Sequence, residues 1–394
     1  MRNEFKTIFT DEGVMLILIF AIFIYSTLYG LAYGSQVLRN VPIGVVDNSK
    51  TPESRELAMS FDAGPNTYIA YEPADMEEAR QLFYDREIYG IVYIPEDYAK
   101  KLLNGTQATV AVYCDASYFL MYRQVFQETV GALNDMGTTV ELQRLVAQGI
   151  NLPQAEAVSQ PVIYQSHNLF NPYLGYGSFL MPAVIMLIIQ QTLLLGIGMI
   201  GGTWREFDIY SRLTPKGESR MSTLPVVFGK ALTYLIVSAL TASYILSLHY
   251  HFYHYPMNGA PLTVAALVFP YLLACIFLAI TLSTLFSHRE NSLLWMLWSS
   301  IFILLLSGVS FPADAIPESL RVVAKVFPSS YAVPAFVRVQ DMGASFVDIL
   351  PEIRALWRQV FVYGGMALIA MHFTLNDRLR AKLRRRLDKR VGWQ

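Results

Sequence analysis

Few residues in this 394-residue chain have the types and spacing that chemistry needs. His249, His251 and His254 fall within six residues, and imidazole is a common metal ligand, so the trio could hold zinc or copper. Their neighbours Tyr250, Phe252, Tyr253 and Tyr255 offer another reading, an aromatic belt at a membrane interface. Gly229-Lys230 looks like the end of a phosphate-binding loop. Ala231 follows it, however, and no Gly stands at the Walker A start, so the chain does not bind ATP through a P-loop. No nucleophile elbow and no HExxH is present, and no catalytic constellation emerges. Two cysteines, Cys114 and Cys275, exclude a disulfide scaffold and a Cys-rich metal cluster. Gln190 and Gln191 are polar residues in an apolar run, suited to interhelical hydrogen bonds or to a substrate contact. Trp204-Arg205-Glu206 follows the same run; by itself Arg205-Glu206 is an exposed helix-end pair worth a few tenths of a kcal/mol.

These residues need positioning elements, and composition says which kind. The chain is 54% hydrophobic and 15% charged, with mean hydropathy +0.35. Soluble domains average about 45–50% apolar and about 25% charged. A span needs about 20 mostly apolar residues, and six stretches qualify: Val14–Tyr33, Phe179–Gly201, Val226–Leu248, Val264–Leu285, Leu293–Val309 and Val360–Leu375. None has Asp, Glu or Arg in its interior. Lys230 sits near the start of the third, where its stem can snorkel to the interface.

Basic residues set the orientation. The tail 377–394 carries Arg378, Arg380, Lys382, Arg384, Arg385, Arg386, Lys389 and Arg390, and the loop 202–222 carries Arg205, Arg212, Lys216 and Arg220. Both belong in the cytoplasm, which with six spans puts the N-terminus there too. The connection from His249 to Pro261 has no Lys or Arg, as an outside loop should. The first span, with about 20 apolar residues and Glu4, Asp11 and Glu12 before or at its start, reads as a retained anchor and not a cleaved signal peptide. The basic tail fits topology and anionic lipid. A net charge of −1 and the lack of aromatics among those basic residues speak against nucleic acid.

Residues 35–170 are numerous enough for an inserted outside domain. Val41–Asp47, Thr67–Tyr71, Tyr89–Ile94 and Ala108–Cys114 read as strands. Thr51–Phe61, Asp75–Arg86 and Pro95–Leu103 read as helices, with Ser49 or Thr51 capping the first and Asp75 with Glu78 forming a capping box on the second. The alternation predicts an α/β domain with a partly parallel sheet. A long helix from Tyr118 to about Gln148 leads back towards the membrane. From Ser35 to Phe170 there are 9 Lys and Arg against 17 Asp and Glu, a net charge of −8 that serves solubility. The fold class expected is an α-helical integral membrane protein of six transmembrane helices with an inserted α/β extracytoplasmic domain: 1–34 N-terminal helix and first span, 35–170 inserted domain, 171–376 the core of the other five spans with its loop 202–222, 377–394 tail.

This order resembles the permease subunit of ABC-2 type transporters, the branch with a large extracytoplasmic domain between the first two spans. Residues 4–11 look like the family's amphipathic interface helix, with Phe5, Ile8 and Phe9 spaced for one apolar face. GVVDNS (Gly44–Ser49), YGIVYIPEDYAKKLLNG (Tyr89–Gly105) and VYCDAS (Val112–Ser117) resemble its strand and turn segments. Asn171-Pro172 with Phe179 and Pro182 resembles the start of the second span. LSGVSFPADAIP (Leu306–Pro317), then Pro328, resembles the end of span five and a re-entrant or amphipathic segment after it. Trp204-Arg205-Glu206 matches the pair opening the loop that meets the ATPase, and Gly229-Lys230 matches the start of the third span. One departure stands out: Ile209-Tyr210 occupy the place of the family's Gly-Thr.

The resemblance implies a non-catalytic permease subunit of an ATP-driven exporter in the inner membrane, with both termini cytoplasmic. Trp204, Arg205, Glu206, Glu4 and Phe5 would couple it to an ABC ATPase. A second permease subunit, most simply an identical one, would complete the pathway, and a periplasmic adaptor protein is a further possible partner. No cofactor binds this chain; ATP and Mg belong to the partner. The substrate would be amphipathic or lipophilic, such as a drug or lipid. The physics agrees, because no acidic residue lies mid-membrane to couple an ion gradient. The alternative is a membrane-anchored envelope sensor or scaffold binding a ligand through its outside domain.

Overall fold

The computed structural model describes residues 1–163, 165–212, 223–308 and 311–375. Lys216, Arg220 and the basic tail lie outside them. The chain divides into two compact units, one of Met1–Gln36 with Asn168–Gln394, the other Val37–His167.

In the second unit, β1 (Val41–Asp47) leads through α3 (Pro52–Asp62) to β2 (Thr67–Tyr71), and α4 (Met76–Tyr84) leads on to β3 (Gly90–Ile94). α5 (Tyr98–Leu103), β4 (Ala111–Cys114), α6 (Phe119–Ala147) and α7 (Leu152–Ser159) complete it. The sheet order is β2-β1-β3-β4, with β1 parallel to β2 and to β3, and β4 antiparallel to β3. β1 is a nearly unbroken apolar run because both its faces are covered. Val41, Ile43 and Val45 pack on Leu57, Phe61 and Val125, while Val46 packs with Ala79, Ile88 and Ile91 on the other side. Thr51 caps α3 and completes a capping box with Ser54. At α4, Asp75 accepts from the N–H groups of Glu77 and Glu78, but Glu78 reaches back to Ala74 N–H and not to the cap, so the expected box is not formed there. α6 keeps close to its expected span from Tyr118 to about Gln148; Gly149, at φ +84°, follows it, and Asn151 caps α7, which packs back along α6.

The first unit is helical. α1 (Arg2–Thr10) precedes α2 (Glu12–Ala32); after the inserted residues come α8 (Tyr176–Glu206), α9 (Ile209–Arg212), α10 (Thr223–Phe252) and α11 (Pro261–Ser283). Then follow α12 (Arg289–Leu306), α13 (Glu318–Ala324), α14 (Ser329–Gln340) and α15 (Leu350–Leu375). Two of the apolar helices, α2 and α10, contain a π-helical stretch, Leu16–Phe20 and Tyr244–His249. Among the described residues, four helices are each long and apolar enough to cross a bilayer: α2, α8, α10 and α11. The helices at the fifth and sixth expected spans do not reach that standard. α12 opens on Arg289-Glu290-Asn291, and the first half of α15 carries Glu352, Arg354 and Arg358. α13 and α14 meet at 88° and together are apolar enough for one broken span or a re-entrant loop.

α8 and α11 are the most enclosed of the four, and small residues let α8 close on its neighbours. A Cβ on Gly202 would lie 2.7 Å from the His288 carbonyl and 2.9 Å from Arg289 Cα, so the start of α12 can pass only over glycine there. Gln190, fully buried on α8, accepts the Ser329 N–H of α14 at 2.9 Å, the interhelical role its sequence setting suggested. The Gln191 amide has no hydrogen-bond partner among the described residues.

Candidate functional site

The last turn of α8 assembles with α1, α9 and the start of α10. Trp204 is 3% exposed and meets Tyr210 edge-on, with ring centroids 5.5 Å apart. Lys230 Nζ lies 3.6 Å from the centre of the Trp204 ring and 5.9 Å from that of Tyr210, a cation held over two aromatic faces. The same ammonium pairs with the Glu4 carboxylate, which also accepts the Tyr234 hydroxyl at 2.8 Å. Glu4 is 3% exposed and Lys230 5%. Two opposite charges out of water stay charged only when paired and hydrogen-bonded, and this box supplies both conditions.

Lys230 therefore does not snorkel as its place in the sequence suggested; it turns inward to Glu4. α1 is amphipathic, though not on the expected face. Ile8 is buried and Phe5 half-buried, but Phe9 is 57% exposed, and Glu4 takes the inward position because Lys230 waits there.

Beside the box, Asp11 ends α1 and caps α2, accepting from the N–H groups of Gly13 and Val14 at 3.1 Å. Arg289 grips the same carboxylate with two bonds of 2.7 and 2.8 Å, tying the start of α12 to the elbow between α1 and α2. Burial pulls the Asp11 pKa upward, but the Arg289 hydrogen bonds, the Val14 and Gly13 N–H groups and the Arg289 charge outweigh it, leaving the carboxyl below its ordinary value. Arg205 donates to the Thr284 carbonyl at the end of α11.

Among the residues singled out from the sequence, the structure thus brings together Trp204 and Glu4, with Phe5 on the same short helix. Arg205 is turned to α11. Glu206 is exposed, as are Phe207 (64%) and Asp208 in the turn that follows. Tyr210, the departure from the family's Gly-Thr, is buried against Trp204. Sequence reasoning gave no place in the site to Tyr210 and Asp11, which it named for other reasons, or to Tyr234 and Arg289. One signal was there, since a lone cation inside a span calls for a partner.

The histidines do not converge. His249 is buried, with Nε2 2.8 Å from the Ser26 carbonyl and its ring among Tyr253 and Tyr255; His251 and His254 are exposed. Among the described residues, no group of three or more His, Cys, Asp or Glu side chains is arranged to hold a metal ion. The aromatic packing around His249 is what the geometry carries.

Residues 13–369 match the family described as ABC-2 family transporter protein. Two relatives, each named probable multidrug ABC transporter permease YbhR, come from Escherichia coli strain K12 and from Escherichia coli O157:H7. Each is 22% identical to this chain over 329 residues, covering 83% of the chain and 85% of the relative. A family match over nearly the whole chain, on a bundle of apolar helices, makes this a multi-pass membrane protein, and the chain belongs to the ABC-2 family of transporter proteins.

Proposed function

We propose that the chain is the membrane subunit of an ATP-driven exporter and that the end of α8 is its coupling site. The observation that carries this reading is the contrast within five residues, Trp204 to Asp208. Trp204 is locked against Tyr210 and the Glu4-paired Lys230, while Glu206, Phe207 and Asp208 are exposed. A partner pressing on that turn would meet the exposed Phe207 ring and the Glu206 carboxylate. The box behind it would pass the displacement to α1, α8 and α10 as one body. ATP-driven closing of a separate ATPase would then bias the pathway between inward and outward states.

In this reading, ATP and Mg sit on the ATPase, this chain carries no cofactor, and the coupling face lies in the cytoplasm with both termini, as the basic residues of 202–222 and 377–394 demand. α12 and α15 count as spans, making six. Two copies form the pathway, residues 35–170 stand outside the inner membrane, and that domain is available to a periplasmic adaptor. The substrate is amphipathic or lipophilic; "multidrug" in the name of the relatives agrees with such a class.

The test is capture of the partner. A C-terminally tagged chain, crosslinked in native membranes and purified, is expected to bring a Walker-A ATPase in stoichiometric amount. E206K/F207A is expected to lose the ATPase while keeping its elution profile and melting temperature, because both side chains are exposed. Repeated purification without any ATPase would defeat the reading, and full capture by E206K/F207A would remove the turn from it.

A further inference from the structure

At the other end of α8 a cavity of about 560 Å³ opens between Ser178 and Phe179, the last turn of α12 at Leu306 and Ser307, and the bent pair α13–α14. That volume is in the range of small-molecule sites. Most of the wall is apolar, including Phe170, Phe179, Leu306 and Val333, yet Arg321, Lys325, Arg338 and Asp341 also line it. Their engagements differ. Arg338 is committed, pairing with Glu352 and donating to the Asp348 carbonyl at 3.2 Å. Among the described residues, Arg321 is ion-paired only with Asp314, at 3.9 Å, an exposed contact worth little. Lys325 is in no ion pair among the described residues, and Asp341 Oδ1 is buried there without a hydrogen-bond partner.

A long apolar wall with two under-used cations at one side is complementary to a molecule with one charged end. We propose that this cavity binds an amphiphile with an acidic head group, its chain along Phe170, Phe179 and Val333 and its head at Lys325 and Arg321. Asp341 lines the same cavity at the far end of α14, about 18 Å of helix from Ser329, and burial there lifts its pKa to about 7. Only the direction of transport rests on the exporter reading; binding does not.

The experiment uses the full chain in phosphatidylcholine nanodiscs without any ATPase, probed with a diazirine-bearing palmitate and mapped by peptide sequencing. Saturable labelling within residues 306–342, competed by dodecanoate, is expected. R321Q/K325Q should weaken it roughly tenfold, the size of a lost charge-assisted contact. K325E should lose palmitate and gain labelling by the matching alkylamine, which keeps the proposal testable whatever the double variant does. Equal labelling of the wild type by the uncharged fatty-alcohol probe would overturn the acidic head group. Preference of the wild type for the alkylamine would show Asp341, not the cations, to be the contact and would equally overturn it. Competition by inorganic phosphate but not dodecanoate would show a plain anion site and overturn the amphiphile. Failed labelling with intact ATPase capture sinks this proposal alone; labelling with no ATPase sinks only the exporter reading.

Discussion

Lys230 is a solvation problem at the scale of one residue: an ammonium group two turns into an apolar helix, with Glu4 as its countercharge. Removing one partner leaves the other charged and dry, so E4Q or K230M should cost about 3–5 kcal/mol of stability. The double variant E4L/K230M, with neither charge left, should recover most of it, and thermal unfolding in detergent checks both. Asp341 sets a second expectation. Its folded pKa of about 7 lies above the value near 4 of an unfolded aspartate. The stability this gives is therefore full below about pH 4, declines as pH rises to about 7, and is flat beyond. D341N should melt at a temperature that depends less on pH between 4.5 and 7.5. Asp11 runs the other way: its carboxyl is held low, so its contribution is present above about pH 4 and lost only in stronger acid. What the sequence left hidden at this scale was pairing. Lys230 was visible as an anomaly, but Glu4 lies so far away along the chain that only the packing of α1 on α10 brings them together.

At the scale of elements, local signals were legible where one stretch decides its own structure. The run VPIGVVD is β1 from its first residue to its last, because a strand covered on both faces must be apolar throughout. Of the two caps the sequence offers for α3, Ser49 and Thr51, the helix uses Thr51. The weaker readings have physical causes too. α12 and α15 carry charges in their first turns that dilute an apolar window; α6, by contrast, ends at Ala147, close to the expected Gln148, just before the left-handed Gly149. Between elements, the tie from α8 to α14 hangs on Gln190. Q190L would leave the Ser329 N–H buried without its acceptor, costing about 1–3 kcal/mol. A melting-temperature loss is expected in Q190L, and thermal unfolding of the detergent-solubilised chain checks it.

For the whole molecule, the division into two units carries its own expectation. Residues 37–167 hold a sheet with packed side chains on both faces and require no residue from the helical unit for that core. Expressed alone, this unit should unfold in one cooperative transition with dispersed amide resonances; collapsed spectra would mean that it depends on the rest. The helical unit is held differently, by contacts between its earliest and much later residues. Glu4 leaves the ribosome when the helix bearing Lys230 has yet to be made, so α1 must wait at the bilayer surface with its acid hydrated until the third long apolar helix is inserted. A nascent chain stalled before residue 230 should therefore expose its first ten residues to protease, and a chain released beyond that helix should protect them.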